Sequence, residues 1–487
     1  MTEHHKKPLT AFGEVAVANR MPVTQVDAVY GIRDITDTIS TTSNGGTTSQ
    51  HDATTGFEWK AETSANAAGS ARMETRRSVR YRAGFGSLYR FTARFSSPKA
   101  NSFQFAGCGN IGCALGFGYN GTEFGILYRN SGRAEIHRLT FTVGASGTQT
   151  LTVTLNGVAF TVTLAAGTTK KAAFQTGATT FAGWQVTHNG STVTFVATTA
   201  GPRSGTYSVS STGTATGTFA QVRAGGDCTD TWIPQTEWNI DKMDGRGPSG
   251  LTLDKTKGNV FEIQHQYLGY GMMSFAVENT GWGVFQEVHR IENANKVSGP
   301  TLINPIMRLF YEATNLGNTS SIAVYGASAA GFVEGNNGHP RNPDGQGNSK
   351  AGIGTTFTNI LSIRVRREFQ GRIFLGEVLP TFVSWACSGT RPAEAALILN
   401  GVVAGEPDWT YENQNLSAVE YDTAGTTVTL AATSKTLAQF ALAQASSEQH
   451  DISGWKIYLI AGDVLTLAVR STSSTIDATC GITWIDD

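Results

Sequence analysis

The sequence predicts an all-β, multi-domain chain of antiparallel β-sandwiches and jelly rolls with an inserted small β-domain. Three observations lead there. Apolar and polar residues alternate with a period of two through most of the chain, glycine occupies 56 of 487 positions, and Asn-Gly pairs recur between alternating runs. A period of two sends successive side chains to opposite faces of a strand, and Asn-Gly supplies the positive φ angles of tight hairpin turns. The length exceeds the roughly 250 to 300 residues at which single cores stop growing, so about two to four domains are expected.

Composition narrows the function classes. Only 15% of residues are charged, against about a quarter in ordinary soluble domains. The 37 Lys and Arg nearly balance the 38 Asp and Glu, for a formal charge of -1, so no global field draws the chain onto nucleic acid or a membrane. A surface poor in charge suits packing against other subunits, because little charge must be desolvated at the contact. The five cysteines, Cys108, Cys113, Cys228, Cys387 and Cys480, are odd in number and widely spread, which implies buried thiols and not a disulfide framework. Cys108 and Cys113 flank GNIG, a spacing that does not complete a zinc site. The start, MTEHHKKPLTAFGEVAV, lacks the apolar stretch of a secretory signal, and no window approaches a membrane span. A protein made in a cytoplasm, without metal, cofactor or membrane insertion, is expected.

Taken in order, residues 1–60, with the Thr/Ser-rich ITDTISTTSNGGTTSQHD, read as an extended N-terminal attachment segment. Residues 61–137 and 228–335 read as one discontinuous sandwich. In SLYRFTARF, Tyr89, Phe91, Ala93 and Phe95 share a face opposite Leu88, Arg90, Thr92 and Arg94. Residues 138–227, where charge nearly vanishes, form the insertion; Leu151, Val153 and Leu155 lead into an Asn156-Gly157 turn, and Phe160, Val162 and Leu164 leave it. Further turns are expected at Asn120-Gly121, Asn189-Gly190 and Asn400-Gly401. Residues 336–379 begin with EGNNGHPRNPDGQGNSKAGIG, which predicts an exposed loop or strap, followed by connecting strands. Residues 380–487 form a terminal jelly roll, in which TLAQFALAQ is assigned to a strand by its position before further strands.

Chemistry-bearing patterns are sparse. Glu262, Glu278, Glu287 and Glu312 are isolated on predicted strands, Glu262 and His265 fall on opposite faces, and no nucleophile elbow, zinc-protease or phosphate-loop motif occurs. The expectation is a protein that is not an enzyme. The densest charge cluster, ARMETRRSVRYR, contains Arg72, Arg76, Arg77, Arg80 and Arg82. In a near-neutral chain Arg76, Arg77, Arg80 and Arg82 suggest inter-strand or inter-subunit ion pairs rather than phosphate contacts. Trp232, Trp238, Tyr267, Tyr270 and Trp282 are candidates for a glycan-stacking platform or for interfaces, with core packing as the alternative.

GFGSLYRFTARF, GFGYNGTEFGILYR, the run from TDTWIPQTEWN to GLTLDKTKGNVFEIQHQYLGYG, and INPIMRLFYEATNLGNTSSIAVYGASAAGFVEG together resemble virion proteins of tailed bacteriophages, over most of residues 70–335. The resemblance implies a concanavalin-like sandwich, and GDVLTLAVRST with the closing GITWID resembles terminal jelly rolls that trimerise in phage fibres. It implies a tail-associated appendage, fibre or sheath subunit, a homotrimer assembling with other virion proteins of tail or capsid and localised to the virion. Capsid decoration protein and host-glycan-binding adhesin are the alternatives. No catalytic motif comes with it.

Overall fold

The computed structural model describes residues 19–53, 56–164, 180–335, 342–405 and 407–486. These residues form strands and turns, with two single-turn 3-10 segments, Gln235–Glu237 and Ser453–Trp455, and no α-helix. The chain divides into two units, each discontinuous in sequence: Met1–Asn130 with Thr229–His339, and Ser131–Cys228 with Pro340–Asp487.

The first unit is built from a nine-stranded and a seven-stranded antiparallel sheet. Strand Gly86–Phe95 is central to the former, with Asn259–His265 on one side and Ala323–Gly326 and Ser328–Glu334 on the other. Its Tyr89, Phe91, Ala93 and Phe95, the face that alternation predicts, are at most 3% exposed. They pack with rings from both sheets: Phe91 stacks on Phe261 at 5.6 Å, and Phe261 meets Phe117 at 4.6 Å. Each such ring contributes about 1.5–3 kcal/mol through burial. On the other face of the seven-stranded sheet, Phe105 lies flat over a glycine floor. A β-carbon at Gly118 would approach Gln104 O to 2.0 Å and Phe105 to 2.9 Å, and one at Gly116 would approach Phe105 Cε1 to 2.6 Å, so these two glycines serve close packing.

The N-terminal part differs from the attachment segment expected over residues 1–60. Residues 1–18 lie outside the described residues. Arg20–Asp27 pairs with Ser328–Glu334, Thr47–Ala53 with Gly56–Glu62, and Thr38–Ser43 with Ser70–Thr75, so this stretch supplies strands to both sheets. Trp59 is 2% exposed in the core. The Thr/Ser-rich sequence suffices because edge strands are held by backbone ladders and need little apolar material. Asn44 (φ 48°) and Gly45 (φ 82°) turn the chain from one sheet into the other.

The second unit contains the inserted strands and the C-terminal strands. In the insertion, a sheet of Trp184–Asn189, Thr192–Ala200, Ala134–Val143 and Thr216–Arg223 accompanies a three-stranded sheet of Val158–Leu164, Gln149–Leu155 and Ser208–Ser211. The Asn156-Gly157 turn has φ 51° and 77°, the signs a type I′ hairpin requires, and closes Leu155 against Val158. The C-terminal sandwich packs a four-stranded sheet, Asp344–Ile353, Ile476–Asp486, Val378–Ser388 and Ser447–Asp451, on a six-stranded one around Trp385 and Trp484. TLAQFALAQ lies largely in strand Lys435–Leu442.

The loop expected from residue 336 is also shorter than its composition predicts. Residues 336–341 lie outside the described residues, but Asp344–Ile353 is an edge strand paired along the final strand Ile476–Asp486. Its sequence, DGQGNSKAGI, buries only Ile353. The C-terminal sandwich therefore starts near residue 344, not 380.

His265 ends strand Asn259–His265 in the core of the first unit, 2% exposed, with no partner for Nε2 and Tyr267 edge-on at 5.4 Å. Burial pushes its pKa down to about 4. The unfolded chain takes up that proton near pH 6.5 and the folded chain near pH 4. Stability is therefore unaffected above about pH 6.5 and falls as pH drops from there towards 4, by up to about 3 kcal/mol. His265→Leu is expected to flatten that acid-side loss in a melting-temperature series from pH 7.5 to 4; parallel curves for both proteins would exclude His265 as its source.

Candidate functional site

The aromatic residues singled out between 232 and 282 do not form one platform. Trp238 is 2% exposed and meets Phe117 edge-on at 5.9 Å, so it is core and closed to a ligand. Trp232 packs with Phe103, Phe105, Leu127 and Phe310, and its Nε1 donates to Glu123 Oε2 at 3.0 Å. Tyr267 donates to the Leu302 carbonyl at 2.8 Å and lies edge-on to Tyr81. Tyr270 and Trp282 project, 44% and 81% exposed, but from the turns at opposite ends of strand Met273–Asn279. Nearness in sequence dispersed them because successive antiparallel strands send their turns to opposite ends of a sheet.

The arginine cluster is partly resolved into contacts within the chain. Arg72 donates to Glu312 at 2.7 Å and Glu74 at 3.1 Å while its guanidinium covers Phe310 at 3.8 Å. Burial alone would raise the Glu74 carboxyl, but Arg72 and Arg308 outweigh it and hold it below the usual range. Arg77 donates to the Val23 carbonyl, and the backbone N–H of the buried Arg76 donates to the Asp37 carbonyl at 2.8 Å. Arg80 and Arg82 are half-buried in the same stretch, next to the bridge between Val79 and Met307. Two of the other carboxylates noted on strands are likewise bound, Glu262 to Arg90 at 2.6 Å and Glu287 to Arg290 at 2.8 Å. No disulfide joins the five cysteines, and no cluster of His, Cys, Asp and Glu among the described residues has metal-binding geometry.

The richest polar constellation lies in the second unit, between inserted and C-terminal strands. In Thr358–Val365, Leu361, Ile363 and Val365 face the C-terminal core, which leaves Ser362 and Arg364 on the other face. The ladder sets Arg364 opposite Glu420 and Ser362 opposite Asp422. Arg364 Nε donates to Glu420 Oε2 at 2.9 Å, its Nη2 donates to the His188 carbonyl at 2.8 Å, and its guanidinium lies 4.2 Å from the Trp409 ring centre. Asn189 completes the carboxylate, donating to Glu420 Oε1 at 2.9 Å. Arg138 reaches Glu368 at 3.0 Å and Arg367 reaches Gln185 at 3.1 Å. The Arg364 and Glu420 side chains are 8% and 5% exposed. Beside them, burial and then Glu420 push the Tyr411 hydroxyl up, and burial and then Arg364 push the Arg367 guanidinium down.

Two further carboxylates are enclosed. Burial raises the Asp422 carboxyl, which accepts from Asn359 Nδ2 at 2.7 Å and from the Gly425 and Asp408 N–H groups. Glu135, 1% exposed, contacts His137 Nε2 at 2.6 Å and accepts from Tyr207 at 2.7 Å and from the Arg203 N–H at 2.9 Å. Burial opposes the charge on Glu135, but these bonds outweigh it and lower its pKa; burial and then Glu135 push the Tyr207 hydroxyl up. The cluster pins strand Ala134–Val143 to the segment carrying Arg203 and Tyr207. Sequence reasoning missed it, because the insertion was bounded at residue 138, which left Glu135 and His137 outside the module whose strand they occupy.

No family model and no curated protein matches the chain. Solved structures similar to it include "Cellulose induced protein, Cip1", 10% identical over 63% of this chain and 95% of that one, at a TM-score of 0.27. The binding domain of Botulinum neurotoxin DC in complex with SialylT is 8% identical over 90% and 93%, at 0.25. The tandem CBM22 domain of Paenibacillus barcinonensis Xyn10C is 9% identical over 97% and 98%, at 0.19. At such scores these likenesses carry no argument about function.

Proposed function

We propose that the chain is a non-enzymatic structural subunit of a tailed-bacteriophage particle, a tail-associated appendage, fibre or sheath component that assembles as a homotrimer with other virion proteins. Its basis is the resemblance across residues 70–335, together with the modular all-β build. The observation that carries the non-enzymatic part is the engagement of sheet-borne carboxylates. Glu58, Glu74, Glu262, Glu312 and Glu394 each lie 2.6–2.7 Å from an arginine nitrogen. Lone pairs spent on guanidinium groups in mid-sheet are not aimed at a reacting bond. Labelling purified particles with an antibody to this chain is expected to decorate the tail. Label on the head would replace this reading with a capsid decoration role, and unlabelled particles would remove the virion assignment.

A second reading, a host-glycan-binding adhesin, is favoured by Trp282. The ring projects from a turn in which the Trp282 and Gly283 N–H groups donate to the Asn279 carbonyl, and Gly281 N–H donates to the Asn279 side chain. An exposed indole on a turn held by these bonds offers an open face for stacking against a sugar ring. On a glycan array the oligomer is then expected to give hits that Trp282→Ala weakens about tenfold, the scale of one lost ring contact. An array without hits, or hits indifferent to Trp282→Ala, would remove this reading.

A further inference from the structure

A lysine, an asparagine and an aspartate from three strands of the C-terminal sandwich converge on the backbone of Gly425. Lys350 belongs to the edge strand Asp344–Ile353, opposite Ala478. Asn359 lies near the start of Thr358–Val365, where the register with Val464–Ser471 shifts between Asn359 and Leu361. Asp422 ends strand Val419–Asp422 and caps the turn that follows, accepting from the Ala424 and Gly425 N–H groups at 3.1 Å each.

The contacts tie the three side chains together. Asn359 Nδ2 donates to Asp422 Oδ2 at 2.7 Å, and Asn359 Oδ1 accepts from Ser362 Oγ at 3.0 Å. Lys350 Nζ donates to the backbone carbonyl of Asn359 itself at 2.7 Å. It also donates to the Gly425 carbonyl, the same oxygen that Asn359 Nδ2 reaches at 3.5 Å. A β-carbon at Gly425 would come within 2.7 Å of Asn359 Nδ2 and 2.9 Å of Asp422 Oδ2, so the glycine lets amide and carboxyl close in. Asn359, Ser362 and Asp422 are 0% exposed, and Lys350 is half-buried. Two carbonyl acceptors use both N–H bonds of a neutral amine and leave its nucleophilic lone pair unengaged. Burial pushes the Lys350 ammonium below its ordinary value, against the pull of Asp422. It pushes the Asp422 carboxyl up, against its N–H donors and Lys350, so both shifts run towards the neutral forms.

We propose that Lys350 and Asn359 join in an intramolecular isopeptide bond, with Asp422 as the proton carrier. Lys350 Nζ adds to Asn359 Cγ, whose carbonyl is polarised by the Ser362 hydroxyl. Asp422 passes one proton from Nζ to the Nδ2 that it already touches, and Nδ2 leaves as ammonia. One C–N bond forms and one breaks, water is neither used nor released, and no oxidant or cofactor enters. Full burial of the amide keeps competing hydrolysis out. The bond ties the edge strand Asp344–Ile353, of which only Ile353 is buried, to the six-stranded sheet. It is independent of where the chain sits in a particle and of the Trp282 turn.

The test is mass spectrometry of the purified full chain. The intact mass is expected to fall short of the sequence mass by one ammonia. Trypsin does not cleave at an acylated lysine, so residues 342–364 are expected as one peptide, uncut at Lys350 and one ammonia light. Lys350→Arg keeps a donor for the two carbonyls but offers no amine nucleophile, and it is expected to restore the full mass. Asp422→Asn, shown to be folded by circular dichroism, is expected to remain at full mass as well. Complete cleavage at Lys350 in the unaltered chain would overturn the proposal whatever the intact mass, because ammonia lost by cyclisation of an asparagine onto its own backbone leaves the lysine cleavable. A bond that forms as fully in Asp422→Asn would overturn the role given to Asp422.

Discussion

The second unit depends on one buried ion pair, Arg364 with Glu420. Removing two charges from water costs more than their attraction returns unless the remaining lone pairs and protons are also met. Here they are met from a segment far away in the chain. The His188 carbonyl accepts from Arg364, Asn189 donates to Glu420, and Trp409 covers the guanidinium. Two adjacent residues of an inserted hairpin thus complete a polar site on the C-terminal sandwich. Buried pairs add little net stability against an apolar replacement, but they penalise every arrangement that leaves them incomplete. By this account the pair fixes the register of the insertion on its partner strands, and Arg138 with Glu368 and Arg367 with Gln185 extend that register along the seam.

The first unit solves its packing differently. Its interior is aromatic, with Phe91, Phe261, Phe117 and Trp238 in a chain of ring contacts. The outer faces of its sheets hold arginine–glutamate pairs laid over rings, Arg72 on Phe310 and Arg94 on the Tyr325 ring at 3.6 Å. A guanidinium on a ring keeps its edge free for a carboxylate, so one side chain satisfies packing and charge together. This explains how a chain with few charges places so many of them in pairs.

Strands with a buried face were legible in the sequence. Gly86–Phe95 and the hairpin through Asn156-Gly157 follow from alternation and turn chemistry alone. Edge strands were not, because hydropathy reports side-chain burial whereas Thr47–Ala53 and Asp344–Ile353 are held by backbone hydrogen bonds. Site residues were the least legible. RVRREF reads as a strand with surface charge, and nothing local marks Arg364 as buried, since its carboxylate partner is 56 residues away and the carbonyl that accepts from it is 176 residues away. Trp238 and Trp282 look equivalent by composition, yet one fills a core and the other stands at 81% exposure. The Thr-Gly-Trp-Gly tetrapeptide between two alternating runs was the signal that separates them.

The central claim is that the Arg364–Glu420 pair makes inserted and C-terminal strands one cooperative body. Amide hydrogen exchange on Glu420→Ala tests it most directly. Leaving Arg364 buried and unpaired is expected to cost about 3–5 kcal/mol. The account predicts that exchange then accelerates together in Thr358–Val365 and in Trp184–Asn189 and Thr192–Ala200 of the insertion. Acceleration confined to the C-terminal strands, with the insertion as protected as before, would contradict it.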